Sequence, residues 1–136
     1  MLRYMLDTNI VIYAIKRRPI EVMEMFNRHA GTMCISSITL SELLYGVEKS
    51  TQPARNMRKV NDFIAQIDLL DYEEQAAKHY GQIRADLERK GTLIGVNDLH
   101  IAGHARSASL ILVTNNEKEF VRVHKLQVEN WVNANA

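Results

Sequence analysis

Short apolar runs alternate with longer amphipathic ones along the whole chain. Tyr4-Met5-Leu6 reads as a strand and is followed by a helical run from Thr8 to Ile15. Pro19 can serve as the first residue of a second helix, with Ile20, Met23 and Phe26 at helical spacing until Gly31 ends it. Met33-Cys34-Ile35 predicts a second strand and Ile38 to Lys49 a helix. Pro53 opens a further helix reaching Ile67, and Leu69-Leu70 makes a short strand. Glu73 to Lys90 reads as a long helix with Ala77, Tyr80, Ile83 and Leu87 on one face, stopped by Gly91. Asp98 to Ser107 is helical, Leu110 to Val113 is the clearest strand, and Leu126-Gln127-Val128 closes the set. Short apolar strands alternating with helices predict an α/β fold: three layers, α/β/α, around a central, mainly parallel sheet.

In such sheets ligands bind beyond the carboxyl ends of the strands. Polar segments fall at three of those ends: Asp7-Thr8-Asn9, Ser36-Ser37 and Thr114-Asn115-Asn116. The chain has 136 residues, 46% hydrophobic and 24% charged, which suits one buried core rather than two. The expected domain is residues 1–132, with 133–136 as a disordered tail. A single cysteine, Cys34, leaves no disulfide framework and no cysteine-rich zinc module. No apolar run approaches the ~18 residues needed to span a bilayer and no leader-like segment is present, so a cytoplasmic protein without membrane contact is expected. Net charge is only +1, yet four acids gathered around a metal would leave a mildly basic exterior, compatible with a polyanionic substrate.

Several chemistries drop out on motif grounds. There is no phosphate-binding G-x-x-x-x-G-K-[ST] loop, no G-x-G-x-x-G fingerprint and no G-x-S-x-G elbow. Cys34 sits in an apolar strand, as an inert core thiol would. His100 and His104 have the spacing of zinc-binding histidines, but Ile101 stands where a catalytic glutamate belongs. A helical wheel turns both away from the Ile101/Ala102/Ala105 stripe, so both are expected on solvated helix surface.

The acids carry more information. Asp7 follows an apolar strand and precedes a helix, a position equally suited to an N-cap and to a metal ligand. Glu42 lies three residues after Thr39, a capping-box spacing, and read alone is a surface glutamate. Asp98 is placed at the opening of its helix yet shares a face with Ile101, Ala102 and Ala105, which should be buried. A buried carboxylate needs a partner, hydrogen bonds or a cation. Glu119 follows Asn116 by three in a last helical turn, again an arrangement that a cap explains. Together the four come from separate segments that a parallel sheet can bring to one edge. Crowded carboxylates raise one another's pKa unless a cation neutralises them. A hard divalent ion with oxygen ligands resolves the conflict: Mg²⁺ suits one or two carboxylates plus water and phosphate, and Mn²⁺ accepts the same ligands.

At these residues the sequence resembles a known family. Met5-Leu6-Asp7-Thr8-Asn9, Ser36-Ser37-Ile38-Thr39 with Glu42-Leu43 and Gly46, Gly95-Val96-Asn97-Asp98 with Ile101-Ala102 and His104-Ala105, and Leu112-Val113-Thr114-Asn115-Asn116 with Glu119-Phe120 resemble, in order and spacing, the motifs of PIN-domain nucleases. The similarity runs nearly end to end and is greatest to the VapC toxins of bacterial type II toxin–antitoxin modules.

The resemblance implies a Mg²⁺- or Mn²⁺-dependent endoribonuclease. Asp7 and Asp98 bind metal directly, Glu42 acts through water, and Glu119 helps to place a second ion or the water. Thr8, Asn9, Thr114, Asn115 and Asn116 are supporting polar groups. Many relatives carry an aspartate where this chain has Asn116, so Glu119 must serve as the fourth acid or that acid is missing. The resemblance further implies a homodimer, inhibition by a cognate VapB-type antitoxin, operator DNA reached only through the antitoxin complex, and the anticodon stem-loop of initiator tRNA as RNA substrate. Leu43, Leu44 and Val47 could meet the antitoxin, although they suit the core equally. Arg17, Arg84 and Arg89 could bind RNA phosphates or be solvated helix surface. A nucleic-acid-binding module without catalysis, and a DNA-directed nuclease, remain as alternatives.

Overall fold

The computed structural model describes residues 1–132, so the tail expected at 133–136 lies outside the described residues. Its elements are β1 (Tyr4–Leu6), α1 (Thr8–Lys16), α2 (Ile20–Arg28), β2 (Met33–Ser36), α3 (Ser37–Glu48), α4 (Pro53–Ile64), β3 (Asp68–Leu70), α5 (Glu74–Arg89), α6 (Val96–Ser107), β4 (Ile111–Val113), α7 (Glu117–Phe120) and β5 (Val128–Glu129). The sheet order is β3-β2-β1-β4-β5 and every pairing is parallel, with Tyr4 beside both Met33 and Ile111. The chain therefore builds outward from β1 in one direction, then restarts on the other side of β1. That reversal between β1 and β4 is where open parallel sheets hold their ligands.

Alternation along the strands divides the core in two. Tyr4, Leu6, Met33, Ile35 and Val113 face a layer made by α1 to α4, packing on residues such as Val11, Phe26, Leu43 and Phe63. Met5, Cys34 and Leu112 face the opposite layer, where Ile83, Leu87, Ile101 and Phe120 cover them. Leu43 and Val47 thus belong to the core, and Leu44 is half-buried. Burial pushes the Cys34 thiol up to about 12, with Asp68 adding to the effect, so it remains a protonated core side chain.

Several local expectations shift. Pro19 precedes α2 as its N-cap rather than forming its first residue, and α4 ends at Ile64, three residues before Ile67. The buried stripe of α5 begins at Ala76, not Ala77, and continues through Ile83 and Leu87. Gly91, at φ +68°, turns the chain out of α5 in the left-handed region open to glycine. The last strand lies at Val128–Glu129, later than the apolar run around Leu126.

Helix α6 departs furthest from expectation. It starts at Val96 with Gly95 as N-cap, so Asp98 is its third residue rather than its opening one. His104 is buried, and His100 is half-buried rather than solvated. The reason is that α6 is wedged between the sheet and α5, which leaves it no wholly polar side. Gly103 makes the crossing possible: a Cβ there would lie 2.8 Å from the Tyr80 backbone nitrogen and 3.1 Å from the Ala76 carbonyl oxygen. Beneath that crossing the His104 Nδ1 is 2.8 Å from the Ser36 hydroxyl, and the His100 Nδ1 is 2.7 Å from the Tyr72 hydroxyl. The His100 ring stacks on Tyr80 at 4.0 Å between centroids.

Candidate active site

Asp7 is the first residue after β1, and its backbone N–H continues the ladder by donating to the Val113 carbonyl at 3.0 Å. Its side chain caps α1, with Oδ1 accepting from the Ile10 N–H at 3.0 Å. The other oxygen, Oδ2, accepts from the hydroxyl of Thr114, the residue that follows β4. Cap and cleft are therefore the same position. Thr114 in turn accepts from the Asn116 N–H at 2.9 Å, which bends the chain toward α7. Asn116 Nδ2 donates to Glu119 Oε2 at 2.9 Å, so Asn116 holds the fourth acid of the group.

Glu42 reaches the same edge from the second turn of α3. It is half-buried rather than a free surface residue. Thr8 donates its hydroxyl to Oε1, and Asn97 donates its side-chain amide to Oε2 at 3.2 Å. Asn97 thus ties the Asp98 helix to the Glu42 helix, a role sequence reasoning missed. The one signal in the sequence is its position beside Asp98.

The electrostatics place the acids together. Asp98 is pushed up to about 6, first by burial and then by the charges of Asp7, Glu42 and Glu119. Asp7 is also raised, with burial the main cause and Glu42 adding to it. Its hydrogen bonds from Thr114, Ile10 and Asn9 pull the other way. Of the supporting polar residues, Thr8, Thr114 and Asn116 each bond an acid through a side chain. Asn9 supplies only its backbone, and Asn115 bonds Tyr13 and Asn130 instead.

Among the described residues no three His, Cys, Asp or Glu side chains form a preset metal cage. The donor set is nonetheless all oxygen and crowded with negative charge. That suits a hard ion taking one or two carboxylates and filling its other positions with water and phosphate. Asp7 and Asp98 are the residues that could hold such an ion directly.

Comparison with known proteins places this arrangement. The PIN domain family matches residues 4–126, a span that contains all four acids. Ribonuclease VapC2 of Haemophilus influenzae is 58% identical over 132 residues, covering 97% of this chain and 100% of the relative. The chain is a PIN domain of the VapC family. This PIN domain is also 56% identical to the tRNA(fMet)-specific endonuclease VapC of Shigella flexneri, over 96% of this chain and 99% of that one. A chain in the crystal structure of DNA-bound VapBC from Salmonella typhimurium shares its fold with a TM-score of 0.92 at 53% identity, covering 96% and 99% of the two chains. The three-layer architecture with a mainly parallel sheet expected from the sequence is the fold found here, with every strand pairing parallel, and that relative shares it.

Proposed function

We propose that the chain is the toxin of a type II toxin–antitoxin module, an endoribonuclease that hydrolyses RNA phosphodiesters with the help of Mg²⁺ or Mn²⁺. The observation that carries this reading is the meeting of Asp7, Glu42, Asp98 and Glu119 at the carboxyl edge of the sheet, where burial first and then the charges of the other three push the Asp98 pKa up to about 6. The names of the relatives support ribonuclease activity, and the tRNA(fMet)-specific relative supports the anticodon stem-loop of initiator tRNA as substrate. The VapBC complexes among its structural neighbours, two of them bound to DNA, support a VapB-type antitoxin as partner and operator DNA bound through that complex. The family resemblance adds a homodimer. No helix among the described residues is long and apolar enough to cross a membrane, and action on tRNA fits a cytoplasmic protein.

Asp7 and Asp98 would hold the ion. Once bound, it supplies activation of water and neutralisation of charge on the phosphodiester. The chain's own residues do the positioning. Thr114 and the Ile10 N–H fix both Asp7 oxygens, which leaves that carboxylate a single orientation. Thr8 and Asn97 hold Glu42 so that it can orient the attacking water and take its proton. Asn116 keeps Glu119 turned toward the other acids.

The direct test is to incubate the purified protein with total RNA and with matched RNA and DNA oligonucleotides, in Mg²⁺, in Mn²⁺ and in chelator, and to map new ends. New ends confined to RNA and abolished by chelator support the reading. Binding without cleavage in either metal overturns it in favour of a non-catalytic module. Equal cutting of DNA overturns the RNA assignment.

A further inference from the structure

Tyr45 follows Glu42 by three residues on α3, so the two stand on one side of the helix roughly 4.5 Å apart along its axis. It is a large side chain that the fold does not use: 66% of its surface is exposed. The ring is nonetheless braced. Lys49, four residues on, places its ammonium over the ring, 4.9 Å from the centroid. Both residues line a depression of about 540 Å³ whose walls include Glu42 and its two hydrogen-bond partners, Thr8 and Asn97. Thr8, Ser41, Glu42, Lys49 and Asn97 give it polar walls, with Ile12 on the apolar side.

A lysine ammonium set against the ring, among polar groups, is poorly matched to the centre of a protein interface, which is depleted of charge and of lysine. It is well matched to an unpaired nucleotide. The ring offers a stacking face to the base, and the ammonium offers a counter-charge to the adjoining phosphate. A strand whose scissile phosphate lies at the four acids must leave the cleft by one of its walls, and this wall carries the aromatic.

We propose that Tyr45, braced by Lys49, is the stacking platform for an unpaired base of the RNA segment beside the scissile phosphate. The inference rests on the nuclease reading above and adds the residue that selects single-stranded over paired substrate at that position. A base stacked on Tyr45 cannot remain in a duplex, so a loop binds here and a continuous helix does not.

Cleavage kinetics and base fluorescence test it with a tRNA anticodon hairpin carrying 2-aminopurine beside the cleavage position. Tyr45→Ala is expected to raise KM roughly ten-fold with little change in kcat, in keeping with the strength of base–aromatic stacking. Tyr45→Phe should restore KM to within about two-fold, whereas Tyr45→Leu should not, because stacking needs a π-face. In the Asp98→Asn background with Mg²⁺ present, binding should quench the 2-aminopurine when Tyr45 is present and leave it bright with Tyr45→Ala. An unchanged KM for Tyr45→Ala overturns the proposal, as does recovery by Tyr45→Leu. So does a KM change that tracks a loss of self-association in sedimentation. The quenching readout needs no cleavage, so quenching by a wild-type protein that never cuts RNA would reject the nuclease reading and leave the platform standing.

Discussion

At one end of α6, Asp98 sits among like charges; less than two turns further on, His104 sits among partners. Both regions bury polar atoms where the sheet meets a helix. Beneath the α5–α6 crossing the groups are satisfied one to one: His104 with Ser36, His100 with Tyr72, Arg84 with the Tyr80 hydroxyl. Burial holds the His104 pKa below its ordinary value, so the imidazole is neutral there. At the carboxyl edge of the sheet the hydrogen bonds do not cancel the charge, and Asp98 is raised by burial and, beyond that, by three other acids. A fold that only needed stability would build the first region twice. The second is a standing cost that makes sense when a cation is to be taken up.

Removing a charge from the acidic edge should have the largest effect. Asp98→Asn is expected to lower RNA cleavage by about 10²–10³-fold or more, the scale of metal-assisted charge stabilisation. In metal-free buffer at neutral pH the same variant should melt no lower than wild type, because it relieves repulsion rather than removing core volume. Parallel cleavage assays and thermal melts check both halves. A folded Asp98→Asn protein cutting at the wild-type rate would remove Asp98 from the site.

Gly103→Ala attacks the other region. A methyl group 2.8 Å from the Tyr80 nitrogen and 3.0 Å from its Cα cannot be absorbed by a flexible neighbour. Overpacking of that kind costs about 1–3 kcal/mol, which thermal denaturation should register as a drop of several degrees.

The two regions should also respond to pH with opposite signs. Asp98 binds its proton more tightly folded than unfolded. Its contribution to stability is complete below the ordinary value of 3.8 and is lost as pH rises through about 6 in the metal-free protein. His104 is shifted the other way: its contribution is complete above 6.5 and is lost as the pH falls below that value. Denaturant melts across pH 3 to 8 should show the first slope flattened by Asp98→Asn. Mg²⁺ should stabilise the protein above pH 6 and do little below pH 4. Equal stabilisation at both ends would place the ion elsewhere.

Glu119→Gln should produce the smallest change. The amide keeps the shape and a hydrogen bond to Asn116, so cleavage should fall by roughly three- to ten-fold, the scale of one positioned hydrogen bond. Single-turnover kinetics would resolve it.

Much of this contrast is written in the chain at the level of pattern. The apolar runs at Tyr4–Leu6, Met33–Ile35 and Ile111–Val113 announce strands, and alternation assigns their faces. Asp98 attracts notice as a carboxylate on a face that should be buried, whereas Asp7, Glu42 and Glu119, each explicable as a cap or a surface residue, do so only as a group. What the chain does not display is which helix lies on which. The wheel for α6 assumed one wet side and so placed His100 and His104 in solvent. A helix covered by both sheet and α5 has none, and its periodicity carries no orientation. Asn97 escaped for a related reason: its partner Glu42 is 55 residues away, beyond any local rule. Ala76 and Ala77 are indistinguishable until α6 decides which one it touches.

The order in which the chain is made gives the Asp7–Thr114 contact a further meaning. Residues 7 and 114 lie 107 positions apart, and the strand that closes the sheet beside β1 comes after most of the chain has been synthesised. A polypeptide still emerging from the ribosome has its first acid early but lacks the hydroxyl that orients it, the neighbouring strand and the fourth carboxylate. A partial product released before Ile111 would lack the Asp7–Thr114 contact, the strand beside β1 and Glu119, so the acidic edge exists only in a nearly finished molecule.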